Sequence, residues 1–322
     1  MNNLLEKFYT EFIDLICKIS EVYRFEGRFD EAMLLFDSIK QLLDVNELNK
    51  EDKAKTLIQF AKIKMDHKFL KDFNYDDEIQ MLQEAQKLAE DSNKKNIQAD
   101  ALDLIGNCIY HIGILEGNFK EAIKYYDKAL SLRTQINDKL GLSKSYFHIG
   151  LYHENKKDAD DRDHQIALEY YEKGLKIAEE EDFELEQSYF FRHLAGIYAY
   201  INKDLDKGLE YFKKSTQLRE KIGFIFSLQF AYFAEAFVYF LKKDMGNATN
   251  YFTKAYSAAF NVNRIEALKT LIFRRGEAVV REIDLETAIK YYSLIRKAAE
   301  HLKDFEGIKE IELKINELLK KE

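Results

Sequence analysis

Two clusters in this chain contain residue types that do chemistry. The first is the run HIGLYHENKKDADDRDH, which gathers His148, His153, Asp158, Asp160, Asp161, Asp163 and His164. Imidazoles and carboxylates at short spacing can converge on a divalent cation. The run lacks the glycine and closing glutamate of a calcium loop, and Lys157 stands where a zinc-protease helix needs its second histidine. It reads instead as a solvated turn, with no metal. The second cluster is Cys108 with His111, three apart on one helix and spaced as a nucleophile and a base would be. Apolar packing positions flank Cys108, so a core thiol is expected there. The chain has no glycine-rich phosphate loop, nucleophile elbow or paired-cysteine motif. Neither an enzyme nor a cofactor is expected.

The elements that position these residues are helices. The 322 residues include no proline and only 13 glycines, so turns must come from Gly, Asn and Asp. With 46% hydrophobic and 33% charged residues, the composition is that of a fully folded chain. The formal charge is −8, and lysine outnumbers arginine 38 to 11, which argues against nucleic acid as a partner. Cys17 and Cys108 lie far apart in apolar helical contexts, as unpaired thiols in a reducing compartment do. The N-terminus has no signal-peptide core, so a cytoplasmic location is expected. Gly223 to Leu241 is the most apolar stretch and approaches the length of a membrane span. Gln229 and Glu235 within it, and the repeat register running through it, argue against a membrane.

The stretch from Asp103 to Leu132 predicts two amphipathic helices joined at Gly117-Asn118. Leu102, Ile105, Gly106 and Ile109 share a face of the first; Phe119 opens the second, where Ala122, Tyr126 and Ala129 recur at i, i+4, i+7. The same triplet returns at Ala32/Phe36/Ile39, Glu78/Leu82/Ala85, Ala167/Tyr171/Gly174, Gly208/Phe212/Ser215, Ala248/Phe252/Ala255 and Ala288/Tyr292/Ile295. Successive spacings are 46, 44, 45, 41, 40 and 40 residues, which predicts seven helical hairpins. Tyr125-Tyr126, Tyr170-Tyr171, Tyr211-Phe212, Tyr251-Phe252 and Tyr291-Tyr292 double the aromatic. Asp91-Ser92-Asn93, Ile136-Asn137-Asp138, Glu181-Asp182 and Asn261-Val262-Asn263 supply breaks through left-handed residues and caps.

Hairpin two is irregular, with Glu78 at a small-residue place and Lys64 at an apolar one, and Arg274-Arg275 interrupts hairpin seven. Phe8 to Arg24 and Phe29 to Leu43 form the first pair of helices. Residues 305–321 form a closing helix that shields the last repeat from water. No Gly- or Ser-rich linker divides the chain, so residues 1–322 read as one solenoid domain.

These landmarks resemble the tetratricopeptide repeat, whose consensus pairs a Leu-Gly step in the first helix with Ala and aromatic positions in the second. The period is longer than the family's ~34 residues, as in its long-period variants, and the closing proline is absent throughout. The resemblance implies an all-α fold: a right-handed α-solenoid of antiparallel helical hairpins. It further implies a concave groove lined by the first helix of each hairpin. Carried over residue by residue, that gives Asn107 and Tyr110 with Asp103 in hairpin three, and Lys144, Phe147 and Leu151 in hairpin four. Hairpin five gives Tyr189, Arg192 and Tyr200, and hairpin six gives Tyr232, Glu235 and Tyr239. In Gly223–Leu241, Phe230, Phe233, Ala234 and Phe237 match the packing face, and the opposite face either lines the groove or packs as core. Asn107 follows Gly106 as the groove asparagine does in members that grip a terminal carboxylate. Asp103 replaces their companion lysine, which disfavours that mode. The resemblance implies a scaffold that binds a protein or peptide partner. Its alternative is a regulator that takes a short signalling peptide and switches conformation. Such regulators often carry an N-terminal effector bundle, for which a repeat beginning by about Phe8 leaves no room.

Overall fold

The computed structural model describes residues 2–45, 48–115 and 117–321, and these form fifteen α-helices with no strand among them. In order they are α1 (Asn2–Glu26), α2 (Phe29–Ile39), α3 (Lys50–Lys68), α4 (Asp76–Asp91), α5 (Lys95–Gly113), α6 (Ala122–Ile136), α7 (Lys139–Asn155) and α8 (Asp161–Glu180). There follow α9 (Glu184–Gly196), α10 (Leu205–Lys221), α11 (Ile225–Leu241), α12 (Met245–Asn261), α13 (Ile265–Glu282), α14 (Leu285–His301) and α15 (Phe305–Leu319). A 3₁₀ turn, Lys40–Asp44, extends α2, and a π turn, Ile197–Ile201, extends α9. Seven hairpins and a closing helix account for the series: an all-α helical-repeat solenoid fold.

Each landmark triplet lies on the buried face of the second helix of its hairpin, α2, α4, α6, α8, α10, α12 or α14. The small residues allow close helix approach. At Gly106 an added Cβ would lie 2.5 Å from the Tyr126 ring, and at Gly150 it would lie 2.5 Å from the Tyr171 ring. The glycine of the first helix is thus the seat for the aromatic of the second. Helix α6 opens at Ala122, not at Phe119; Phe119 is buried one turn earlier, against Tyr110.

The breaks share one design. Asn93, Asn137, Asp182 and Asn263, all within the expected breaks, have φ between 51° and 55°. Lys203, Lys243 and Lys303 occupy the same left-handed region at other turns, and an aspartate follows each of them. Asp204, Asp244 and Asp304 then cap the next helix, as Asp138 does after Asn137. The backbone amides fold back onto the preceding helix, for example Asp244 N–H to Tyr239 C=O at 3.0 Å. Lys64 and Glu78, the two irregular residues of hairpin two, explain each other. The Glu78 carboxylate is fully buried and takes ammoniums from Lys64 at 3.5 Å and Lys68 at 2.8 Å.

Contacts along the chain gather into two compact units, residues 1–193 and 194–322. In the second, α11 packs against α10 and α12 and is buried on nearly every side, with Leu228 and Tyr232 half-buried. Both faces of this helix are therefore core. Among the described residues, no helix is long and apolar enough to cross a membrane.

Candidate functional site

The residues of interest stand on the first helices of the hairpins. Asn107, Tyr110, Lys144, Phe147, Leu151, Tyr189 and Arg192 belong to the first compact unit; Tyr200, Tyr232, Glu235 and Tyr239 belong to the second.

In the first unit, Asn107 and Asp103 project one turn apart from α5 and are both held by intrachain bonds. Tyr126 donates its hydroxyl to Asn107 Oδ1 at 2.9 Å, and the Asn107 amide nitrogen lies 3.2 Å from His148 Nε2. His148 Nδ1 is 2.9 Å from Asp103 Oδ1. Arg133, itself buried on α6, donates to Asp103 Oδ2 at 2.9 Å, to Ser145 Oγ at 2.8 Å and to Asp100 Oδ1 at 2.7 Å. These contacts tie α5, α6 and α7 together through Asp103, Asn107, Tyr126, Arg133 and His148. Burial alone would raise the Asp103 pKa, but Arg133 and His148 outweigh it and hold the carboxyl well below the usual range. The cluster positions helices, and it leaves Asn107 little capacity for a ligand.

Tyr110 and Leu151 are buried in one cluster with Phe119 and Tyr126 and offer no surface. Lys144, Phe147, Tyr189 and Arg192 are half-buried. The Phe147 ring sits 5.5 Å from Tyr189 and 5.1 Å from His193. Glu154 accepts from His193 at 2.7 Å and from the Tyr171 hydroxyl at 2.5 Å. Lys62, on α3, is 2.9 Å from Glu21, which also binds Arg24; Arg24 in turn reaches Asp66 at 2.6 Å. Burial, the Arg24 guanidinium and the Lys144 ammonium together lower the Lys62 pKa, and Glu21 opposes them. Lys144 makes no hydrogen bond or ion pair among the described residues.

In the second unit, Glu235 and Tyr239 are buried: Thr216 donates to Glu235 at 2.5 Å, and the Tyr239 ring packs 5.3 Å from Tyr251. Burial raises the Glu235 pKa, against the Thr216 bond and the nearby Lys213 ammonium. Tyr200 and Tyr232 are half-buried. The Arg275 guanidinium lies over Tyr200 at 4.5 Å and over Phe237 at 4.8 Å, so the arginine that interrupts the stripe of hairpin seven is a cover for rings. Tyr232 donates to Glu220 at 2.6 Å.

The reactive clusters resolve as structure. Asp160 and Asp163 form a capping box at the start of α8, with Lys156 at 2.7 Å and His153 at 3.1 Å from Asp163. Cys108 packs with Ala61, Met65, Tyr75 and Leu82, and burial pushes its thiol well up while holding His111 down to about 4. A nucleophile–base pair needs the reverse. Sequence reasoning missed Arg133, Arg24 and Lys62. Arg24 and Arg133 fall where the apolar stripe of their helices continues, and that is the signal they left.

Residues 111–135 match the tetratricopeptide repeat. No curated protein matches the sequence. Solved structures share the fold at low identity. The apo form of the quorum sensor NprR from B. thuringiensis is 14% identical, with 97% of this chain and 88% of that one covered and a TM-score of 0.53. Aspartyl phosphate phosphatase F from Bacillus subtilis is 12% identical over 95% and 93%, with a TM-score of 0.52. A signal transduction ATPase with numerous domains and a tetratricopeptide repeat sensor, from Pyrococcus horikoshii, is 16% identical, with a TM-score of 0.53; the match covers 96% of this chain and 48% of that one. The matched segment runs from the last residues of α5 through the turn into α6, whose landmark triplet recurs in every hairpin, and the chain is accordingly a tetratricopeptide-like helical repeat protein.

Proposed function

We propose that this protein is a non-catalytic module that binds an extended peptide or a segment of a partner protein. The binding surface is the first-helix face of the first compact unit, around Lys144, Phe147, Tyr189 and Arg192. The observation that carries this reading is Lys144: a half-buried ammonium without an ion pair among the described residues, on the same helix as Phe147 and near enough to Lys62 to lower its pKa. A cation three residues from Phe147 on α7, and so on the same side of that helix, suits a segment that places an acidic side chain among apolar ones. In the second unit Tyr200 and Tyr232 are half-buried, Tyr200 beneath Arg275 and Tyr232 bonded to Glu220, and Glu235 and Tyr239 are too buried to take part.

Selection from a displayed library of random peptides tests the reading. Enriched sequences should carry Asp or Glu flanked by apolar residues. Lys144→Ala and Tyr189→Ala should each weaken binding about tenfold or more while leaving the melting temperature within a few degrees. Absence of enrichment, or binding indifferent to both variants, overturns it. A regulator that switches on binding a short peptide is the second reading. It is favoured by fold-level likeness to a quorum sensor and to a repeat sensor, which is analogy only. Hydrogen exchange that slows outside the peptide's own footprint would favour that version.

A further inference from the structure

Helix α1 has two apolar faces. Ile13, Ile16, Ser20 and Arg24 are buried on the side that packs against α2 and α3. About a third of a turn round the helix runs a second stripe, Leu5, Phe8, Phe12, Leu15, Ile19 and Val22. Its members are exposed, Phe8 by 55%, Leu15 by 54% and Val22 by 57%, apart from the half-buried Ile19. No other helix carries so many exposed large apolar side chains among the described residues. The spacing along it is 3, 4, 3, 4, 3, the alternation of a coiled-coil seam rather than the drifting period of a surface helix. Residues 4–8, 11 and 12 are exposed, so the first turns of α1 gain little support from the rest of the chain. A helical segment that short is marginal in water by itself.

We propose that this seam is the interface of a homodimer in which α1 packs antiparallel against α1 of a second copy. The order of residues is self-complementary about a two-fold axis. Leu5 meets Val22 of the second copy, Phe8 meets its Ile19, and Phe12 meets its Leu15; each layer then occurs twice. Glu11 and Lys18 border the stripe on the same side, and the antiparallel arrangement sets Glu11 opposite Lys18 of the second copy, also twice. Both charges now hold only exposed partners on their own helix, Lys7 at 3.7 Å and Asp14 at 2.6 Å, which are easily exchanged. A parallel pairing would turn Glu11 toward Ile16 of the other copy, which is already buried against its own chain.

Sedimentation velocity on the full chain, followed across the micromolar range, should show a monomer–dimer equilibrium. Phe8→Glu and Leu15→Glu should leave monomers with wild-type helicity and melting. Lys18→Glu should weaken the dimer several-fold, and adding Glu11→Lys to it should restore the affinity. Mixing Leu5→Cys with Val22→Cys chains under mild oxidation should link the two kinds to each other and neither to itself. A monomer at every concentration overturns the proposal and leaves this face to another occupant. So does a dimer that ignores the seam variants, or self-linking of Leu5→Cys, which would mean a parallel pairing.

Discussion

Two buried carboxylates in this protein are handled in opposite ways. Asp103 is paired with Arg133 and His148 and is held ionised far below its ordinary range. Its stabilising contribution is present above the unfolded-state pKa and fades as pH falls through the lower folded value. Asp103→Asn should therefore cost at most about 3–5 kcal/mol at neutral pH, because it leaves the buried Arg133 with the partly exposed Asp100 as its remaining counter-charge. The deficit should shrink in acid, as urea titrations at several pH values will record. Glu235 has its pKa raised, principally by burial. Its contribution is full below the unfolded-state pKa and is lost as pH rises through the higher folded value. Glu235→Gln keeps an acceptor for Thr216 and removes the charge. Stability should hold or rise at neutral pH, and the fall just above the carboxylate range should flatten; a marked loss at neutral pH would show that the carboxylate is itself required.

The hairpin, as an element, rests on a ring seated over a small residue. Alanine is a better helix former than glycine by about 1 kcal/mol, so an unobstructed glycine in a helix should gain on that change. Gly246, with only Asp244 Oδ1 within 4 Å of an added Cβ, is such a place. Gly106→Ala should do the reverse: its Cβ would meet the Tyr126 ring at 2.5 Å, and overpacking costs about 1–3 kcal/mol. Opposite shifts in melting temperature for the two variants are expected; a stabilised Gly106→Ala would mean that Tyr126 moves freely. At this scale the sequence was most legible, because small and aromatic residues recur at helical spacing wherever two helices touch. Asn and Asp breaks were legible too, since their side chains tolerate left-handed backbone. The Lys203, Lys243 and Lys303 turns were not, because lysine carries no such preference; only the aspartate that follows each one marks them.

The candidate groove, as a property of the whole molecule, was less legible than the fold. Helical periodicity tells which face of a helix a residue occupies, but burial of that face depends on what the neighbouring helices bring. Glu235 and Tyr239 share a face with half-buried Tyr232, yet lie in the core because α11 is enclosed by α10 and α12. Lys144 lies on the expected groove face, but its neighbour Lys62 comes from another helix, α3, and no periodicity within α7 announces it. The net charge of −8 remains a statement about the entire surface. Retention on duplex DNA at physiological salt is not expected, and a salt-sensitive gel shift at low micromolar protein would contradict that.

The buried carboxylate of Glu78, answered by Lys64 and Lys68, makes hairpin two unlike its neighbours in a way that bears on how such a chain can be rearranged. Repeats with interchangeable faces can be duplicated, deleted or shuffled with modest loss. Helix α4 is keyed to α3. Moved beside any other first helix, it would carry an unanswered charge into the core, while α3 would offer two lysines to an alanine or glycine. Recombination between repeats is thus restricted here by one glutamate, which fixes the place of hairpin two in the series.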